Sequence, residues 1–257
     1  MHLELVPLLR VERELYHTPR GFARFRKYLA TMQGGTNDVE LLPLVALNPM
    51  GKEHVAAVLD ALLALDAEAV AAEAAADAGR RLAGEAGSLK VGLVVADDAQ
   101  GGWTQRELTD AKHRFEIDAA LKRGWATVLL WSSETPSRET VRRETLAAIF
   151  RACYVRRHGE PRTLGQMLRQ EGQVAAFAET PPPDRSVQEL AAIRAVIDPR
   201  REETAYPVII ACLYGDAAAQ AVGYPRLGLP EGAGFMLALH EALQGIGTRD
   251  EESGTRK

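Results

Sequence analysis

Two short apolar segments separated by a helical pattern constrain the fold of this chain more than any other feature. Residues 90–96 (KVGLVVA) and 125–131 (WATVLLW) are continuous and apolar, and they lack the alternation of a half-exposed strand. Such segments are typical of strands buried on both faces. Between them, residues 104–107 (TQRE) have the pattern of a capping box, which predicts a helix that begins there and ends near Gly124. A strand–helix–strand order favours parallel strands joined by right-handed crossovers.

A further strand is predicted in the apolar run of residues 39–47. Because Pro43 has no N–H to donate to a neighbouring strand, this strand is short, lies at an edge of the sheet or begins near Leu44. Asn48 and Pro49 then suit the cap and first residue of a long helix over residues 52–83, which a break near Asp66 divides in two. The predicted fold class is α/β: a small, about three-stranded, mainly parallel sheet flanked by helices, with a helical N-terminal segment and a predominantly helical C-terminal half.

The flanking regions show helical patterns of their own. Thr18 and Pro19 predict the start of a helix whose apolar face is formed by Phe22, Phe25 and Leu29 and packs on the domain. In the C-terminal half, residues 163–166 and 186–189 have the pattern of capping boxes and predict the starts of two helices. The apolar run of residues 207–213 suits a strand or a helix, and we favour a helix. The predicted organisation is a helical segment (1–38), an α/β core (39–160), a helical extension (161–246) and a disordered tail (247–257).

Composition excludes several classes of protein. With 257 residues, 46% hydrophobic and 26% charged, the chain has the composition of a globular protein. The net charge of −4 argues against binding nucleic acid, which favours a basic surface. No apolar run approaches the roughly 20 residues of a membrane span, and the start lacks a signal-peptide pattern, so we expect a cytoplasmic protein with no membrane partner. Cys153 and Cys212 are expected to be buried free thiols. Formation of a homo-oligomer stays open.

The predicted sheet also locates a ligand site. The carboxyl ends of parallel strands lie along one edge, where open α/β sheets bind ligands, and three predicted helix N-termini would favour an anion there. The sequence therefore predicts a small anionic ligand, a phosphate or a carboxylate, bound by polar residues that follow the strands or begin the helices: Asn48, Lys52, Thr104, Arg106, Ser132 and Ser133.

The segment from residue 97 to residue 113 is the richest in polar chemistry. Asp97 and Asp98 follow a buried strand and suit a divalent cation, the one cofactor that the sequence suggests. Gly101 and Gly102 allow close approach of a ligand, and Trp103 can stack on a ring of the ligand. These three residues complete the predicted ligand-binding set. On the following helix, Asp110 and His113 suit acid–base catalysis, with Asp110 orienting the histidine. The alternative is that all these residues form an ordinary turn and a solvated helix face.

Three functions remain open at this point. The first is an enzyme acting on a small anionic ligand, with a metal near Asp97 or Asp98. The second is a ligand-binding protein without catalysis at the same edge, and the third is an interaction protein whose helical half docks a partner. The sequence has no phosphate-binding loop, no dinucleotide fingerprint, no nucleophile elbow and no zinc-protease motif. His54 is a weaker candidate ligand at the start of the long helix.

Overall fold

The computed structural model describes residues 1–99, 102 and 104–245. It has three strands, β1 (His2–Val6), β2 (Ser88–Ala96) and β3 (Trp125–Trp131). The α-helices of the described residues are α1 (Leu9–Tyr16), α2 (Phe22–Gln33), α3 (Glu53–Ala64), α4 (Ala67–Arg81), α5 (Arg106–Phe115), α6 (Asp118–Lys122), α7 (Arg138–His158), α8 (Leu164–Phe177), α9 (Val187–Ile197), α10 (Tyr206–Tyr214), α11 (Asp216–Ala221) and α12 (Ala233–Leu243). Short 3₁₀ helices lie at Leu42–Ala46 and Asp198–Arg200. The predicted disordered tail lies outside the described residues.

The chain forms two compact units. The first consists of Met1–Thr109 and Ile117–Cys153, and the second of Asp110–Glu116 with the described residues from Tyr154 onward. The first unit contains the whole sheet and the helices of the amino-terminal half. Within its described residues, the second contains helices joined by loops and no strand. Within the described residues, no helix is both long enough and apolar enough to cross a bilayer.

The sheet is parallel, with strand order β1-β2-β3. This confirms the α/β fold class and two of its three predicted strands. The predicted strand over residues 39–47 is wrong, because this run contains the 3₁₀ helix, whose Leu44 is fully buried. The third strand is β1 instead, a short segment that pairs with β2 from His2↔Ser88 to Val6↔Gly92. The consecutive strand order also means that this sheet lacks the reversal at which open α/β sheets usually place a ligand.

The strand β2 extends beyond β1 at its carboxyl end. The last pair with β1 is Val6↔Gly92, whereas β3 pairs with β2 as far as Ala96↔Trp131. On the side that β1 leaves open, the backbone N–H of Val95 donates to Glu12 Oε2 of α1 at 3.1 Å. A helix side chain therefore takes the place of a strand neighbour just before β2 ends.

Several helix starts differ from the sequence prediction. Helix α3 begins at Glu53 after Lys52, not at Pro49, because Asn48 and Gly51 close a turn between them. The predicted break is confirmed at Asp66, whose φ of 54° separates α3 from α4. Helix α5 begins at Arg106, and the helix predicted to run to Gly124 divides into α5 and α6.

Helix α2 also differs from the sequence prediction, both in where it begins and in which face is buried. The helix begins at Phe22 rather than Pro19, and Phe22 is 71% exposed. Arg24 is buried instead, because its guanidinium donates to the carbonyls of Thr18 (2.6 Å) and Gly51 (3.1 Å). Its Cζ also lies 4.8 Å from the centre of the Tyr16 ring. The predicted apolar face is therefore wrong, since the helix is anchored by a cation with partners distant in sequence.

The second unit confirms both of its predicted capping boxes. Thr163 accepts from the N–H of Gln166 at the start of α8, and Ser186 accepts from the N–H of Glu189 at the start of α9. The ambiguous run becomes helix α10, as predicted.

Candidate functional site

Asp97 is the centre of a buried hydrogen-bond network at the carboxyl edge of the sheet. It follows β2 directly and is 2% exposed. Asn48 Nδ2 donates to its Oδ2 at 2.7 Å, and Ser132 Oγ donates to its Oδ1 at 3.1 Å. His54 Nε2 lies 2.7 Å from the same Oδ1. Three residues from separate parts of the chain thus fix this carboxylate.

His54 lies in the first turn of α3, and its side chain is 13% exposed. Because a carboxylate only accepts hydrogen bonds, the contact with Asp97 assigns the proton of a neutral imidazole to Nε2. The other ring nitrogen, Nδ1, is buried and has no hydrogen-bond partner among the described residues. The histidine is therefore oriented by one nitrogen and keeps a lone pair on the other.

Asp98 forms the outer half of the network. Its Oδ1 accepts from the N–H of Ser133 at 2.9 Å, and its Oδ2 accepts from Ser133 Oγ at 2.7 Å and from Arg106 Nη1 at 3.1 Å. Ser132 Oγ lies 3.2 Å from Asp98 Oδ1, so the hydroxyl sits between the two aspartates. Arg106 also donates to Glu134 and stacks its Cζ 4.8 Å from the centre of the Trp131 ring.

Two hydrogen bonds fix the position of Asn48. Tyr16 donates its hydroxyl to the carbonyl of Asn48 at 2.6 Å, while Asn48 Oδ1 accepts from the N–H of Met50. Burial raises the pKa of the Tyr16 hydroxyl, with smaller contributions from Glu12 and Asp97. The phenol therefore keeps its proton and acts as a donor.

Glu12 lies one helical turn before Tyr16 and is fully buried. Burial raises its pKa well above the ordinary carboxyl value, opposed by the hydrogen bond from Val95 and reinforced by the charge of Glu68. Its Oε1 has no hydrogen-bond partner among the described residues. A neutral carboxylic acid is thus packed against the last residues of β2.

The structure brings most of the predicted ligand-binding residues together: Asn48, Thr104, Arg106, Ser132 and Ser133 all bond directly to Asp97 or Asp98. Lys52 stands exposed at the start of α3. Gly102 packs so tightly that an added Cβ would lie 2.3 Å from the carbonyl oxygen of Asp97. Gly101 and Trp103 lie outside the described residues.

The predicted catalytic pair lies in the second unit. Asp110 Oδ2 accepts from Arg114 Nε at 2.6 Å and from Tyr214 OH at 2.8 Å. Arg114 also donates to Glu171, and although burial alone would lower its pKa, the two carboxylates raise it. Asp110 therefore pairs with the partly buried guanidinium of Arg114, and the role of His113 as a general base stays a prediction.

The predicted metal site at Asp97 and Asp98 is not supported by the geometry. Every oxygen of the two carboxylates accepts at least one hydrogen bond from the protein. A divalent cation would have to displace these donors. Within the described part of the chain, no group of three or more acidic, histidine or cysteine residues is placed to hold a metal ion.

Comparison with protein-family models, with curated proteins and with solved structures finds no match.

Sequence reasoning missed three contributors to this site: Glu12, Tyr16 and Glu134. Glu12 carried a usable signal, because it lies at a position of α1 where Leu9, Leu15 and Tyr16 are also buried. An acidic residue on the apolar face of an amphipathic helix is uncommon and indicates a buried partner or a site.

Proposed function

We propose that this chain is an enzyme that moves a proton to or from a small polar substrate at the carboxyl edge of its sheet. His54 is the acid–base group, and Asp97 is the residue that orients it. The observation that carries the proposal is the buried Nδ1 of His54, which lacks a partner while Nε2 contacts Asp97 at 2.7 Å.

An unpaired buried nitrogen is unfavourable for stability. Leaving a buried polar atom without a hydrogen bond costs on the order of 1–3 kcal/mol, so such atoms in native proteins call for an explanation. A substrate proton is one explanation, since a neutral imidazole with its N–H fixed on one side offers a lone pair on the other. The carboxyl edge is the side on which open α/β sheets bind ligands, although the strand order of this sheet has no reversal, so the location alone carries little weight.

The charges at this edge argue against the anionic ligand expected from the sequence. Arg106 is the cation nearest the aspartates, and it already donates to Asp98, Ser133 and Glu134. An anion would compete with two carboxylates for that guanidinium. A neutral substrate meets no such competition.

The test is proton exchange with solvent. The protein is incubated in D₂O with a panel of small aldehydes and ketones, whose α C–H protons an imidazole base can remove, and ¹H NMR follows the loss of the α C–H signals and the growth of product signals. We expect exchange or turnover of at least one compound. His54→Gln should reduce its rate about 10²- to 10⁴-fold, the range for loss of a general acid or base, and Asp97→Asn should also reduce it.

His17→Gln is the matched control, since His17 is an exposed histidine of the same unit that pairs with Glu14. It should leave the rate unchanged. Thermal unfolding of each variant shows whether the fold is intact. Turnover that persists in a folded His54→Gln variant would refute the catalytic role of His54. If compounds bind but none of them exchanges protons, a ligand-binding protein without catalysis is favoured instead.

A further inference from the structure

Helix α1 is attached to the end of β2 through one ionisable side chain. Beyond Gly92, β1 no longer pairs with β2, and on that open side the backbone N–H of Val95 donates to Glu12 Oε2 at 3.1 Å. The other oxygen, Oε1, is buried and has no hydrogen-bond partner among the described residues. The carboxyl group is therefore shielded from water with only one of its oxygens satisfied.

In the described part of the chain, no basic side chain forms a hydrogen bond with Glu12. The charge that faces it from α4 is also negative, that of Glu68. The other ionisable groups on the helices around it have partners of their own: Arg10 with Glu68, Arg13 with Asp60 of α3, Tyr16 with the carbonyl of Asn48, Arg24 of α2 with two carbonyls and the Tyr16 ring, and Lys27 of α2 with the carbonyl of Glu14. An ionised Glu12 would be a buried charge without a counter-ion, and burial accordingly raises its pKa well above the ordinary value.

The same helix holds the turn that leads into α3. One helical turn after Glu12, Tyr16 donates its hydroxyl to the carbonyl of Asn48 at 2.6 Å, and the N–H of Gly51 donates to the same oxygen at 3.1 Å. A Cβ on Gly51 would lie 2.7 Å from the Tyr16 hydroxyl, so the turn packs directly on the phenol. The position of α1 thus fixes the turn of residues 48–51.

This turn supports both members of the His54–Asp97 pair. At its first residue, Asn48 donates Nδ2 to Asp97 at 2.7 Å. Two residues after its end, α3 begins, with His54 in the first turn of the helix. A displacement of the turn therefore disturbs the carboxylate and the histidine at the same time.

We propose that Glu12 is a pH-dependent switch. While it is neutral, it keeps α1 docked on β2 and the turn of residues 48–51 in place; when it ionises at higher pH, α1, the turn and the His54–Asp97 contact loosen together. The switch does not rest on the proposed function, because it concerns the support of His54 whatever this histidine does.

Hydrogen exchange of two backbone amides, followed by NMR at pH 5, 6, 7 and 8, tests the switch. The N–H of Val95 reports on the contact of Glu12 with β2, and the N–H of Gly51 reports on the turn. An opening that exposes Glu12 releases its proton, so the protection factor of both amides in the wild type should fall by up to about tenfold per pH unit. Both should also be less protected than the amides shared by β2 and β3, because the opening is local.

Three variants assign the effect to its residues. Glu12→Gln keeps an oxygen for the Val95 N–H but cannot ionise, so the protection of both amides should not vary with pH. Glu73→Gln is the matched control, because Glu73 is an exposed carboxylate of α4 in the same unit, and it should behave as the wild type. Tyr16→Phe removes the bond to Asn48, so Val95 should keep its pH dependence while Gly51 loses it.

A protection of Gly51 that stays constant with pH in the wild type would overturn the switch, as would a pH dependence that persists in Glu12→Gln. Val95 and Gly51 amides protected as strongly as those between β2 and β3 would also overturn it, because only global unfolding would then expose Glu12. The wild-type series decides this by itself if Glu12→Gln does not fold. If both amides behave as expected and no compound exchanges protons in D₂O, the switch stands and the proposed enzyme function fails.

Discussion

As the pH rises from mildly acidic to neutral, the difference in free energy of unfolding between Glu12→Gln and the wild type should shift in favour of the glutamine variant. The side chain is fully buried, its Oε2 accepts from Val95, and burial raises its pKa well above the ordinary value. Glutamine has nearly the same shape and keeps an oxygen for the Val95 N–H, but it cannot ionise. The substitution therefore removes one titration and little else.

The magnitude follows from proton linkage. Above the ordinary carboxyl pKa, the unfolded chain has released the Glu12 proton while the folded chain still holds it, so wild-type stability falls as the pH rises towards the folded pKa. One proton of difference corresponds to about 1.4 kcal/mol per pH unit. Between pH 5 and pH 7, the stability of Glu12→Gln relative to the wild type should therefore increase by up to about 2.7 kcal/mol.

The assay is urea unfolding at pH 5, 6, 7 and 8, followed by tryptophan fluorescence. Trp125 and Trp131 are buried on β3 and report on the unit that contains Glu12. Glu73→Gln on α4 of the same unit is the control, because Glu73 is exposed, and its difference from the wild type should not change with pH. A Glu12→Gln difference that is also constant from pH 5 to pH 8 would refute the assignment of a neutral buried carboxyl.

Three further predictions test individual contacts, and two of them compare a substitution with a control. Gly102→Ala should destabilise the first unit by about 1–3 kcal/mol in urea unfolding, because its Cβ would meet the Asp97 carbonyl; a neutral result would contradict that packing. Arg114→Met should lower the free energy of unfolding by about 1.5–3 kcal/mol in urea unfolding followed by circular dichroism, since it removes the guanidinium that donates to Asp110 and Glu171. The exposed Arg226→Met should cost under about 1 kcal/mol. Tyr16→Phe and Tyr28→Phe each remove one buried hydrogen bond and should lower the free energy of unfolding by about 1 kcal/mol. Only Tyr16→Phe should also shift the His54 NMR signals, because Tyr16 donates to Asn48 beside Asp97.

The strands β2 and β3 were predictable because their apolar runs are long and continuous. The strand β1 was not, because five residues with the burial of a half-exposed edge carry little signal. Residues 39–47 are as apolar as a strand, but Pro43 lies in the first turn of the 3₁₀ helix that they form, and Leu44 packs into the core. The proline was a local signal against a strand, and the apolar pattern outweighed it in the prediction.

The candidate site was predictable in position but not in its roles. The rule that polar residues gather at the carboxyl ends of parallel strands brought Asp97, Asp98, Ser132 and Ser133 to one edge. Which side chains occupy each carboxylate oxygen depends on contacts between distant residues, such as Asn48 with Asp97. For the same reason, His54 was only a minor candidate, although it makes one of the shortest contacts in the network.

The most direct test of this account is the tautomer of His54, measured by long-range ¹H–¹⁵N NMR on protein labelled at histidine nitrogens and assigned with the His54→Gln variant. The contact with Asp97 predicts that neutral His54 carries its proton on Nε2, with Nδ1 unprotonated, and that Asp97→Asn weakens this preference. A neutral His54 protonated on Nδ1 would contradict the orientation by Asp97, and with it the proposed proton transfer at this site.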